Sequence, residues 1–128
     1  MKVLIDTNIL IHLFKGDLKT EAEIQQIGIP EIYVPSVVAM ELYRGMKDKK
    51  EMTQMVKKLG QFKILHFDEP VSKLALEFIR NYKLSHDQKI PDAIIGAMAI
   101  EFNLPLHTYN VKDFRYLPGI VLYQIPTP

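Results

Sequence analysis

Apolar and polar positions along the chain switch between a run-like pattern and a helical one. Val3, Leu4 and Ile5 form a continuous apolar run closed by Asp6, the mark of a strand buried on both faces of a parallel sheet with a carboxylate at its end. A short helix follows through Ile9, Leu10, Ile11, Leu13 and Phe14, with Thr7 or Asn8 as its cap and Gly16 at its exit. A weaker helical stretch over 21–27 is broken by Gly28-Ile29-Pro30, and Ile32-Tyr33-Val34 is β-branched and aromatic, a second strand. Pro35-Ser36 supplies a turn and an N-cap for a helix from 37 to about 46. Met52, Met55, Val56 and Leu59 make the stripe of an amphipathic helix over 48–59. A third strand spans 62–67, and Asp68-Glu69-Pro70 opens a helix whose stripe runs from Val71 to Tyr82, followed by a polar loop over 84–89. The segment 92–102 is apolar nearly all round, as expected of a helix in the centre of a domain. Strands over 106–108 and 120–123, with a loop or short helix over 109–117 between them, close the chain.

Strands alternating with helices in this order predict an α/β fold: a three-layer α/β/α sandwich around a central parallel sheet of about five strands, as one domain over 1–128. Composition narrows the chemistry. Absence of cysteine removes disulfides, thiolate zinc sites and cysteine nucleophiles, and fits a reducing compartment. No apolar run is long enough for a membrane span and no signal peptide is recognisable, so the expected location is cytoplasmic. A net charge of +1 conceals a contrast, because acids gathered in one pocket leave a basic remainder, including Lys47, Lys49, Lys50, Lys57 and Lys58 on what reads as a solvated helix face.

Four carboxylates stand at strand ends or in the first turns of helices. Taken singly, each has an ordinary explanation: Asp6 as a helix cap, Glu41 as a solvent-facing partner of Arg44, Asp92 as a favourable charge at a helix N-terminus, and Asp113 as a turn residue. Open α/β sheets place their chemistry at the carboxyl ends of the strands, where all four are expected to meet. Four such charges repel one another unless they take up protons or a cation. An all-oxygen set suits Mg²⁺ or Mn²⁺, and the chemistry such ions support with phosphate ligands is phosphodiester hydrolysis.

MKVLIDTNILIHL, VPSVVAMELYRG, IPDAIIGAMAIEFNLPL and HTYNVKDF, in that order, resemble the PIN-domain family, in particular VapC-type toxin ribonucleases of toxin–antitoxin pairs. The resemblance runs through nearly the whole chain and is least distinctive over 48–88. It implies a PIN-like fold, an Mg²⁺- or Mn²⁺-dependent endoribonuclease with Asp6, Glu41 and Asp92 as metal-binding acids, a homodimer, and a small VapB-like antitoxin that blocks the site. The family's fourth acidic position is variable, and here Asn110 and Asp113 both offer themselves; Asp113 is favoured. Thr108 and Asn110 are then candidates to orient a water or a carboxylate. Thr7 and Asn8 are candidates for the same task, or simple helix caps.

Lys15, Arg44, Lys47 and Lys112 lie near the ends of these motifs and are candidates for an RNA-binding rim, with Tyr43 and Tyr109 as rings on which bases stack. The four histidines show no zinc-ligand spacing, and only His86 falls in a segment able to approach the acids. Two other classes remain open: a non-catalytic RNA-binding or scaffold domain of this fold, and a phosphatase with Asp6 as nucleophile, although the third position of its motif is Asn8 rather than an acid. Nucleotide-cofactor enzymes are excluded by the lack of a glycine-rich phosphate loop.

Overall fold

A computed structural model describes residues 1–125. In chain order the elements are β1 (Val3–Ile5), α1 (Thr7–Phe14), α2 (Leu18–Ile27), a 3₁₀ turn at Ile29–Glu31, β2 (Ile32–Pro35), α3 (Ser36–Arg44), α4 (Lys49–Leu59), β3 (Lys63–Leu65), α5 (Glu69–His86), α6 (Ile90–Glu101), β4 (Leu106–His107) and a second 3₁₀ turn at Val111–Asp113. The four strands pair in the order β3-β2-β1-β4, all parallel, with Val3 opposite Ile32 and Leu4 opposite Leu106. Successive crossovers carry the chain from β1 to β2 and β3 on one side, then back to β4 on the other. The reversal makes the carboxyl ends of β1 and β4 the switch point of the sheet.

All three residues of β1 are fully buried, as a strand covered by helices on both faces requires. The core extends from β1 through Ile9 and Leu10 of α1, Val34 of β2, Val38 of α3 and Phe78 of α5 to α6, where Ala93, Ile95, Ala97 and Met98 are buried. Gly96 lets the C-terminal segment close on α6, since a Cβ there would come within 2.4 Å of the Leu117 side chain. Among the described residues, no helix is long and apolar enough to cross a membrane.

Several boundaries depart from the pattern-based expectation. The fifth strand over 120–123 is only a single parallel bridge between Leu106 and Leu122. The cause is the shortness of β4: Leu106 alone turns its N–H and C=O outward, to Val121 and Tyr123, while the carbonyls of Pro105 and His107 on either side accept from Leu4 and Asp6. Asp6, rather than Thr7 or Asn8, is the cap of α1. Helix α2 starts earlier than its apolar stripe, capped by Asp17, and α3 starts at Ser36 without a side-chain cap. The first half of the polar loop over 84–89 is helix, because α5 continues to His86 and stops where Asp87 takes a left-handed conformation with φ 49°. The α4 stripe turns inward at Met55 and Leu59, which are buried, while Val56 is exposed.

Candidate metal centre

Asp6 leaves β1 in an extended conformation and is 5% exposed. Both carboxylate oxygens are held: Oδ1 accepts the Thr7 N–H at 2.7 Å, and Oδ2 accepts the Thr108 hydroxyl at 2.8 Å. The Thr7 hydroxyl donates to Glu41 Oε1 at 2.8 Å, which ties the first turn of α1 to α3. Glu41 is exposed, and among the described residues it forms no ion pair with Arg44; its partner is a threonine. Thr108 is fixed in turn by the Asn110 N–H, 3.0 Å from its Oγ1. The Tyr109 N–H reaches Asn8 Oδ1 at 3.4 Å, while Asn8 Nδ2 is buried without a hydrogen-bond partner.

Asp92 sits in the first turn of α6, placed by Pro91 and half-buried, and Asp113 closes the second 3₁₀ turn, also half-buried. Burial, then the charges of Asp6, Asp113 and Glu41, push the Asp92 carboxyl up to about 7, opposed only by Lys89. Burial also pushes Asp6 upward, with Glu41 and Asp113 adding to the rise and the Thr108 and Thr7 hydrogen bonds resisting it. All four acids therefore lie within electrostatic reach of one another at the switch point. Lys89, which attracts Asp92, is already paired with Asp87 at 2.7 Å. Among the described residues, no three His, Asp or Glu side chains are placed as a ligand set, so the convergence expected of the four acids is electrostatic and short of a formed metal site. The donor set nonetheless fits a hard divalent ion that needs few direct carboxylates and keeps several waters.

The other sequence candidates divide. Asn110 contributes its backbone N–H, and its side chain is exposed. Arg44 lies one helical turn from Glu41, and Lys112 adjoins Asp113; both are exposed. Lys15 caps the far end of α1, about 12 Å along the helix axis from its start, and Lys47 lies beyond the end of α3. Tyr43 packs against the core. Tyr109 is no open ring either: its hydroxyl donates to Glu23, and His12 and His107 pack edge-on against it at 5.3 and 5.5 Å.

That contact belongs to a second buried cluster, which the sequence did not signal. Glu23 of α2 and His107 of β4, 5% and 2% exposed, meet through Oε1 and Nε2 at 3.1 Å. Burial holds the His107 imidazole below its ordinary range, so this is a neutral histidine donating to a carboxylate rather than an ion pair. Thr20, whose hydroxyl donates to Asp17, lies 2.7 Å from the Tyr109 hydroxyl and completes the set. Lys89 was missed as well; its only sequence signal was its place three residues before Asp92.

The PIN domain family model matches residues 3–119. A protein named Ribonuclease VapC from Rickettsia bellii is 30% identical over 136 residues, covering 98% of each chain. Ribonuclease VapC1 of Methanocaldococcus jannaschii is 31% identical, covering 96% of this chain and 88% of its own. Among solved structures, a toxin–antitoxin complex from Klebsiella pneumoniae superposes with a TM-score of 0.77 at 32% identity, covering 97% of this chain and 100% of that one. VapBC2 from Rickettsia felis, bound to a promoter DNA fragment, shares the fold at a TM-score of 0.79 and 23% identity, with 96% of this chain and 98% of that one covered.

Proposed function

The chain belongs to the PIN domain family, and from that membership we propose that it is a divalent-metal-dependent endoribonuclease, hydrolysing RNA phosphodiesters as the toxin of a toxin–antitoxin pair. The observation that supports the reading is the mutual charge repulsion that Asp92 shares with Asp6, Asp113 and Glu41, acids from four separate segments near the carboxyl ends of β1 and β4. Relatives named as ribonucleases support the activity, and the Klebsiella complex supports a VapB-like antitoxin as partner. The same reading includes action on RNA in the cytoplasm as a homodimer, for which Leu76 and Leu84 on α5, 75% and 98% exposed, offer apolar surface.

Mg²⁺ or Mn²⁺ would be held by Asp6, Glu41 and Asp92, with Asp113 as the fourth acid. When bound, such an ion lowers the pKa of a water and stabilises charge on the scissile phosphate and the leaving oxygen. The chain's own groups supply positioning. Thr7 and Thr108 fix the carboxylates of Glu41 and Asp6, the kind of outer support that sustains ligand geometry. Asn8 Nδ2 is a buried donor available to a water or a phosphate oxygen. Arg44, Lys112 and Lys89 provide positive charge at the mouth, and Lys15 and Lys47 extend it. The phosphatase alternative is disfavoured because the third position of its motif is Asn8 rather than an acid.

The test is cleavage of labelled structured RNAs by the purified protein with Mg²⁺, Mn²⁺ or EDTA, beside a folded variant carrying Asp6→Asn and Asp92→Asn. Cutting is expected only with metal and only in the wild type. A wild type that binds no divalent ion by calorimetry overturns the reading in favour of a non-catalytic RNA-binding or scaffold domain.

A further inference from the structure

The last turn of α5 ends in a column of rings that none of the roles above uses. Phe78, 4% exposed, roots it in the core, and Tyr82 follows at a centroid distance of 6.1 Å. Tyr82 sets its ring at steep angles to both Tyr116 and His86, at 5.0 and 5.7 Å. His86 and Tyr116 stack face to face, 3.9 Å apart and 19° from parallel. Three features hold His86 in that pose: Ser85 Oγ lies 2.7 Å from its Nδ1, Asp87 turns the chain at φ 49°, and Lys83 and Lys89 clamp Asp87 from both sides.

His86 is exposed, and among the described residues no second ring and no cation stacks on its other face. A flat π-face fixed in solvent has no packing reason to be there. Its position supplies one: Tyr116, the other half of the stack, lies within the electrostatic reach of Asp92 and Asp113. The column therefore runs from the hydrophobic core to the flank of the acid centre. Beside it Gln88, 4% exposed, has both amide atoms buried without a hydrogen-bond partner, although the Tyr116 hydroxyl is close by.

We propose that the outer face of His86, backed by Tyr116, is the platform on which an unpaired RNA base is held beside the scissile phosphate. The inference rests on the nuclease reading of the acids and deepens it, because it gives the substrate class as RNA with a splayed, unstacked base at that point. Aromatic stacking of this kind is sequence-tolerant, since every base has a π-face. Arg115, exposed next to Tyr116, and Lys89 supply charge for the flanking phosphates. Leu84 is two positions from His86, about 200° around α5, so a partner docked on Leu84 leaves the platform uncovered.

The test separates binding from cutting. Short fluorescein-labelled single-stranded RNAs, with and without an abasic spacer, are titrated in EDTA with the wild type, His86→Ala and His86→Phe, alongside an oligonucleotide carrying 2-aminopurine. His86→Ala is expected to weaken binding of the base-bearing RNA about 10-fold and to abolish aminopurine quenching, with the spacer RNA unchanged and His86→Phe close to wild type. Equal losses for both RNAs, no loss for either, or no binding by the wild type overturns the platform. Cleavage with Mn²⁺ then distinguishes the two ideas. If the wild type and His86→Ala cut RNA with the same KM, the nuclease stands and the platform falls. If no RNA is cut yet quenching depends on His86, the platform stands and the nuclease reading falls.

Discussion

Two clusters of polar side chains share the end of β4, where His107, its last residue, serves one and Thr108, just beyond it, serves the other. His107 points to Glu23 and Tyr109, and Thr108 points to Asp6. In the first cluster the Glu23 carboxylate accepts from a neutral imidazole and a phenol, so its desolvation is offset by donors. In the second, the acids repel one another, and among the described residues the hydrogen bonds they accept come from two threonine hydroxyls and one backbone N–H. The closed cluster needs nothing added. The open one keeps the mutual repulsion of its acids, which separates it from the satisfied network around Glu23.

Asp92→Asn should divide the two most sharply. Cleavage is expected to fall about 10³-fold, the loss of several kcal/mol of charge stabilisation. The metal-free variant at alkaline pH should nonetheless melt a few degrees above the wild type, because one repelling charge is gone. A fall in melting temperature by scanning calorimetry would show that Asp92 is satisfied without metal and would break the contrast.

Glu23→Ala should do the reverse. It leaves His107 Nε2 and the Tyr109 hydroxyl without their acceptor, at a cost of about 3 kcal/mol. For a domain of this size that lowers the melting temperature by about 10 °C. Unchanged melting would mean that the network is not closed.

The smaller effect is on pH dependence, where the clusters have opposite signs. Asp92, raised from 3.8 to about 7, holds a proton in the folded state that the unfolded chain has released, so metal-free stability falls as pH climbs through that window. His107 is depressed, so the unfolded chain takes up a proton that the folded one refuses, and its contribution is lost as pH falls below about 6.5. Melting curves in the wild type should be nearly flat from about pH 5 to 6.5, where the two contributions oppose, and fall from there to about pH 7, whereas Asp92→Asn should show only the acid-side loss. Saturating Mg²⁺ should remove the fall toward pH 7 in the wild type; no change on adding it would count against an ion at the acids.

Much of this arrangement was legible because parallel strands announce themselves as apolar runs, and Asp6, Asp92 and Asp113 are tied to element ends that such runs mark. What escaped lay where periodicity is silent. The last turn of α5 beyond Tyr82 faces solvent and so carries no apolar stripe, although a helix is there. The Glu23–His107 pair spans 84 positions with no local motif to announce it. Glu41 sits on the exposed face of α3 and meets a threonine across 34 positions in place of the Arg44 partner one helical turn away.

The bond between Thr108 and Asp6 spans 102 positions, so the carboxylate at the end of β1 is held by a group from the segment after β4. Contacts of such long range form late, after their loop-closure entropy has been met. Since domains fold as units while chains are made from the N-terminus, a truncated or half-synthesised chain contains Asp6 but lacks the hydroxyl that holds it. For an enzyme that cuts RNA, activity then waits on synthesis of the segment that follows β4.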